Sequence, residues 1–314
     1  MEGTLPLIDK KALGIFLGMT YGISWLVAVF LYLGGGISEG GWTLRVGLLV
    51  LGLMLVPAAA ALVASILTRD RAHLSIRLWP INPRPVLVFA VLAPVFFIVV
   101  YTVSVSLGYG VADWGLGALR ARMPGPAEAG LQQQMPAPFL LIAGFLMSVV
   151  LGPTLFALIG LGTEIGWRAY LAQKLEPLGR WGAAAVSGLL WGICWFPLVL
   201  GVAWAGESTF FQALSLAIRI SIAAALFGML LAEVYRRSRH VALTSVLAGC
   251  FYAQEYGIWY YLIRQPDPLM TGPYGAVGIV GLALLVLIAF LVPRWERLIG
   301  IAPPPVEPAA DSGA

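Results

Sequence analysis

PVLVFAVLAPVFFIVVYTVSVSLG, residues 85–108, runs its whole length without one Asp, Glu, Lys or Arg. As a helix it rises about 36 Å, enough to cross the ~30 Å hydrocarbon core of a bilayer. It does not alternate polar and apolar residues with period two, so it does not read as a barrel strand. Inside lipid a helix satisfies its own backbone polar groups. The stretch therefore reads as a membrane-spanning helix.

The rest of the chain repeats the pattern. Further apolar blocks lie at about 12–34, 44–66, 137–161, 181–203, 210–234, 241–263 and 274–293, which makes eight expected spans. Of 314 residues 60% are hydrophobic and 11% charged, with mean hydropathy +0.90. A soluble domain carries about 25% charged residues. There is too little polar surface here to coat a water-facing globule. The expected fold is an all-α polytopic bundle, one transmembrane domain over 1–300. The tail 301–314, Pro-rich and acidic, cannot bury apolar surface and is expected to be disordered. The lipid bilayer is the first expected partner.

Cations set the orientation. With the N-terminus in the cytoplasm, 14 of the 19 Lys and Arg fall in inner loops. That bias predicts both termini in the cytoplasm. It also accounts for the pI of 9.2 without nucleic acid as a partner. The long loop 109–136 is then external. Sixteen Arg against three Lys suggest a GC-rich bacterial genome and the cytoplasmic membrane of a bacterium.

Ionisable residues inside spans are costly, and each is a functional candidate. Glu164 and Arg168 are four apart and can pair on one helical face. They read either as a juxtamembrane salt bridge or as the floor of an intramembrane cavity. Arg219 on the sixth span and Glu255 on the seventh come out at ~13 Å and ~12 Å below the outer surface, which predicts an intramembrane ion pair. A transporter or channel built on that pair is one alternative. The lack of a repeated half speaks against it. Glu233 is expected to snorkel toward the interface beside Arg236 and Arg237. Trp191 and Trp195 share one face of the fifth span. His73 and His240 sit at rims, too few for a zinc site, and no metal or other cofactor is expected.

GTEIGWRAYL at 162–171, GLLWGICWFP at 188–197 and, more weakly, HVALTSVLAGCFY at 240–252 carry a resemblance. Over about 140–255 the chain resembles the CPBP family of intramembrane proteases, the type II CAAX prenyl protease and bacteriocin-processing proteins. The family motifs are Glu-Glu-x-x-x-Arg, Phe/Trp-x-x-x-His and His-x-x-x-Asn. The resemblance implies that Glu164 and Arg168 are retained site residues. It also implies that Thr163, Trp195, Ala248 and Tyr252 stand where the family has Glu, His, His and Asn.

Those exchanges fall on the chemistry. Peptide hydrolysis needs an activated water and a stabiliser for the oxyanion. Thr163 is no general base at neutral pH, Trp195 has one N–H donor and no lone pair for a proton, and Ala248 offers neither. Tyr252 keeps one hydrogen-bond donor. The expectation is a pseudoprotease that binds or regulates a hydrophobic peptide or membrane-protein partner. The alternative is an active endopeptidase with a site rearranged around Glu164, drawing on Cys194 and Cys250. No histidine is placed to activate either thiol.

Overall fold

The computed structural model describes residues 8–33, 44–69, 76–79, 81–117, 119, 136–205, 209–255 and 257–301. Nine helices carry these segments. They are α1 (Lys10–Leu33), α2 (Leu44–Thr68), α3 (Pro83–Ser106), α4 (Ala137–Lys174), α5 (Gly179–Ala205), α6 (Phe210–Ser238), α7 (Val241–Glu255), α8 (Ala276–Leu291) and the short α9 (Trp295–Leu298). One two-residue pair, β1 (Val111–Ala112) with β2 (Ile263–Arg264), is the sheet among the described residues. The molecule is an all-α, multi-pass membrane protein.

Local chemistry sets several helix ends. Asn82 caps α3, its side chain accepting from Arg84 N at 3.0 Å, with Pro83 in the first turn. Thr209 and Gln212 form a reciprocal capping box at the start of α6. That helix ends at Arg239, which turns left-handed at φ 49°.

Among the described residues six helices, α1 to α6, are long and apolar enough to cross a membrane. Their outward residues include Leu26 and Phe30 of α1, Leu87 and Val91 of α3, and Ile142 and Leu146 of α4. Apolar side chains repeating at helical spacing on an outer face suit contact with lipid tails.

Two expected spans come out shorter. The seventh, placed at 241–263, is helical only to Glu255. Beyond it the chain makes a 3-10 turn, Ile258–Tyr261, and then β2. Trp259 Nε1 donates to Gln254 Oε1 at 2.6 Å and folds the turn back on the helix end. With 15 residues α7 rises only about 22 Å. It is buried over most of its length against α3, α4 and α6. A helix screened from lipid by its neighbours need not match the bilayer thickness. The eighth, α8, has 16 residues.

The fourth span differs in the other direction. It does not stop near residue 161 but continues to Lys174 as a helix of 38 residues. That is about 57 Å of rise, far more than a perpendicular crossing needs. Two stretches, Gly152–Phe156 and Ile165–Leu171, are wound as π-helix. Such wide turns are rare and concentrate at functional sites.

Contacts gather the loops onto two faces. On one, Val111 pairs with Arg264, and Thr271 Oγ1 donates to Tyr109 O at 2.9 Å. On the other, Lys174 meets Asp9 at 3.8 Å, Arg239 meets Glu176 at 3.0 Å, and Asn82 Nδ2 donates to Gly300 O at 2.8 Å. This second face is the one the positive-inside pattern assigns to the cytoplasm. Most of the loop 109–136 and all of 302–314 lie outside the described residues.

Candidate active-site cavity

Glu164 closes the last α-helical turn of α4 before the second π stretch. Its side chain and that of Arg168 are both 0% exposed, with Glu164 Oε1 3.4 Å from Arg168 Nη1. The pair is therefore an ion pair buried inside the bundle. The reason is the continuation of α4: what looks amphipathic in sequence is the packed end of a long helix.

The arginine is covered by an aromatic ring. Its guanidinium carbon sits 4.3 Å from the centroid of Trp191 on α5. A cation over a Trp face in a dry site gains ~2 kcal/mol or more. Close helix packing makes this possible. A Cβ on Gly192 would lie 2.6 Å from Ser221 O, and one on Gly228 would lie 2.6 Å from Gly188 Cα. Small residues on both sides of the α5–α6 seam bring α6 against the guanidinium. A Cβ on Gly228 would also stand 3.2 Å from Arg168 Nη2.

The neighbouring polar groups are spoken for locally. Thr163 Oγ1 donates to Gly160 O at 2.6 Å and lies 3.5 Å from Glu164 Oε1. Ser187 Oγ donates to Trp167 O at 3.0 Å, tying α5 to the π stretch. Among the described residues, Glu164 Oε2, the three guanidinium nitrogens of Arg168 and Trp191 Nε1 make no hydrogen bond. Their stabilisation is electrostatic and aromatic.

Thr163, Trp195, Ala248 and Tyr252 lie on α4, α5 and α7. Thr163 and Trp195 line one small cavity together with Trp167, Cys194 and Pro57. Its volume is about 20 Å³. A polar cavity needs ~10–15 Å³ to hold a water, so this one has room for a single molecule. Tyr252 approaches Gly160, where a Cβ would lie 3.6 Å from its ring. Thr163 bonds that same glycine's carbonyl. Ala248 is 0% exposed, one turn before Tyr252 on α7. Gly249 beside it packs against the backbone of Gly152 and Ala157, at the start of the first π stretch and just past its end. Thr163 thus shares its cavity with Trp195 of α5, while Tyr252 of α7 packs against α4 at Gly160.

Other expected residues fall elsewhere. Arg219 and Glu255 do not form the expected ion pair. Arg219 Nη1 donates to Pro268 O and, at 3.2 Å, to Tyr274 O. Glu255 Oε1 accepts from the Tyr274 hydroxyl. Matched depth did put both near one point, and the loop leading into α8 supplies a residue that holds both. Sequence gave no signal for that loop.

Glu233 does not snorkel. It is 1% exposed and takes bonds from Arg180, Arg236 and Arg237 at 2.7–2.8 Å. Arg180, at the start of α5, was the unseen member, although its place on the same expected face was a usable clue. Cys194 and Cys250 are both buried free thiols. His240 caps α7, its Nδ1 accepting from Leu243 N at 3.4 Å. His73 lies outside the described residues. Among the described residues no three His, Cys, Asp or Glu side chains converge as metal ligands.

No curated protein matches the chain. Residues 144–253 match the family model described as type II CAAX prenyl endopeptidase, Rce1-like. The matched range holds most of α4, all of α5 and α6, and nearly all of α7. It contains the Glu164–Arg168 pair with Thr163, Trp195, Ala248 and Tyr252, and this multi-pass membrane protein therefore carries an Rce1-like CAAX-protease domain.

Proposed function

We propose that the protein is a proteolytically silent relative of the type II CAAX endopeptidases, which binds or regulates a hydrophobic peptide or membrane-protein partner. It works in the cytoplasmic membrane of a bacterium. One observation carries the reading: the cavity shared by Thr163 and Trp195 is about 20 Å³. A water fits there, and a peptide bond flanked by side chains does not.

The chemistry of the site supports the same view. Glu164 is the carboxylate left to activate water. It faces Arg168 inside a dry interior and makes no approach to solvent. An aligned general base must reach both a water and a scissile carbonyl. Thr163, Trp195 and Ala248 add no base and no anion-stabilising cation. Loss of one member of a catalytic unit costs ~10³-fold or more, and further losses do not add simply.

The test is cleavage of a prenylated CAAX-type peptide by the purified full chain. Beside it runs a variant with Thr163→Glu, Trp195→His, Ala248→His and Tyr252→Asn. Thermal melts and circular dichroism check that the variant is folded. A silent natural protein and a folded variant that cleaves support the proposal. Cleavage by the natural protein that Glu164→Ala abolishes overturns it and puts an active site around Glu164.

A further inference from the structure

A second cleft lies apart from the small cavity beside Thr163 and Trp195. It lies on the arginine-rich face, where the end of α4, the start of α5 and the end of α6 meet. Its volume is about 290 Å³, and Arg180, Arg236 and Arg239 stand around it with Gln173. That is near the lower limit for small-ligand sites and suits a headgroup.

The charge balance of the cleft favours an anion. Arg180, Arg236 and Arg237 converge on the single carboxylate of Glu233. Arg237 also reaches Glu296 at 3.2 Å, and Arg239 reaches Glu176 at 3.0 Å. Of the residues that line the cleft, the three guanidinium groups of Arg180, Arg236 and Arg239 meet the two carboxylates of Glu176 and Glu233, which leaves one positive charge. A phosphodiester carries one negative charge. The carboxylates hold Nε and Nη2 of Arg180 and of Arg236, and Nη2 of Arg239. Those bonds leave Nη1 of Arg180 and Arg236, and Nε and Nη1 of Arg239, to point elsewhere. Guanidinium forks held on one edge by a carboxylate are preorganised to bind phosphate with the other.

We propose that this cleft binds a phosphate-bearing anion, supplied by the headgroup of an anionic phospholipid. Free phosphate has the same charge chemistry. Two features select the lipid. Ala172, Ala183, Ala184 and Ala232 give the cleft an apolar floor, which a glycerol backbone fits and a bare phosphate does not use. The cleft also lies at helix ends, with Trp181 43% exposed beside it on α5, as interfacial tryptophans are. Basic pockets between helices at the cytoplasmic surface bind anionic lipid headgroups in this way.

The experiment uses the full chain purified in neutral detergent. Phosphatidylglycerol, phosphatidylcholine or inorganic phosphate is added, and bound lipid is read by native mass spectrometry and stability by thermal melt. Phosphatidylglycerol is expected to bind one to one and raise Tm, with phosphatidylcholine and millimolar phosphate doing neither. Arg239→Gln is the diagnostic variant, because its carboxylate partner Glu176 is 54% exposed and its loss leaves the Glu233 cluster intact. It is expected to weaken phosphatidylglycerol binding about tenfold while the lipid-free Tm stays put. Arg297→Gln, on an exposed part of the same face, is expected to leave binding unchanged. Equal binding of phosphatidylcholine, or equal loss in both variants, overturns the site. A Tm rise with millimolar phosphate that phosphatidylglycerol does not exceed overturns the lipid assignment in favour of a soluble phosphate.

Discussion

Arg168 lies beneath the ring of Trp191, its guanidinium carbon 4.3 Å from the ring centroid, while its Nη1 faces Glu164 at 3.4 Å. One charge is thus held by a carboxylate on its own helix and by an aromatic face on the next. Removing one member of a buried pair strands the other, at a cost of ~3–5 kcal/mol. Replacing both with apolar residues of similar volume is often neutral. Arg168→Leu alone is therefore expected to lower the melting temperature of the purified protein sharply, as is Glu164→Leu alone. The double variant is expected to recover most of the loss. A double variant as unstable as either single one would show that the pair is needed for more than charge balance.

The bridge through Tyr274 gives a second expectation. Arg219 and Glu255 are held by different parts of one tyrosine, a carbonyl and a hydroxyl. Tyr274→Phe removes only the hydroxyl and leaves the Glu255 carboxyl short of a donor, a loss of ~1–3 kcal/mol. A double-mutant cycle between Arg219→Leu and Glu255→Leu is expected to give a coupling below about 1 kcal/mol, because no direct bond joins them. A coupling of several kcal/mol by denaturant melts would restore the direct ion pair.

Sequence carried the helical membrane fold because apolar blocks of bilayer length are a property of composition alone. It singled out Glu164, Arg168, Arg219 and Glu255 for the same reason, as ionisable residues in or beside apolar blocks. It did not carry the connections that tertiary structure makes. The end of α4 looked amphipathic because Glu164, Arg168 and Lys174 recur along it, yet all three are buried. Periodicity reports which residues share a face, not whether another helix covers that face. Glu233 was misread likewise: its neighbours Arg236 and Arg237 were visible in sequence, but Arg180 comes from the start of another helix. The short α7 was hidden because the blocks 241–255 and 258–263 are both apolar, and the break between them is made by tertiary bonds such as that from Trp259 to Gln254.

Glu233 is the hub of the arginine-rich face, which makes Glu233→Gln a sensitive variant. The neutral amide keeps the shape but leaves three guanidinium groups crowded without their shared anion. The expected loss is ~3–5 kcal/mol, read as a lower melting temperature. Added salt should restore part of it, since Arg180, Arg236 and Arg237 are partly exposed and their repulsion is screened. No change on Glu233→Gln would mean the three arginines are held by the bilayer surface rather than by this carboxylate.

The α5–α6 seam offers the last test, because it separates close packing from helix propensity. Gly192 sits where an added Cβ would come within 2.6 Å of Ser221 O, a backbone atom that cannot step aside. Gly14 on α1 has nothing within 4 Å of the same added atom. In an exposed helix Gly→Ala gains up to ~1 kcal/mol from propensity. Forcing a methyl into a packed seam costs ~1–3 kcal/mol. Gly14→Ala is therefore expected to be neutral or mildly stabilising, and Gly192→Ala destabilising. The second change also pushes α5 away from α6 and loosens the cover that Trp191 places over Arg168. Tryptophan fluorescence should shift in Gly192→Ala and stay fixed in Gly14→Ala. Equal, small effects of both substitutions would mean that the seam has slack, and that the burial of Arg168 does not depend on the glycines.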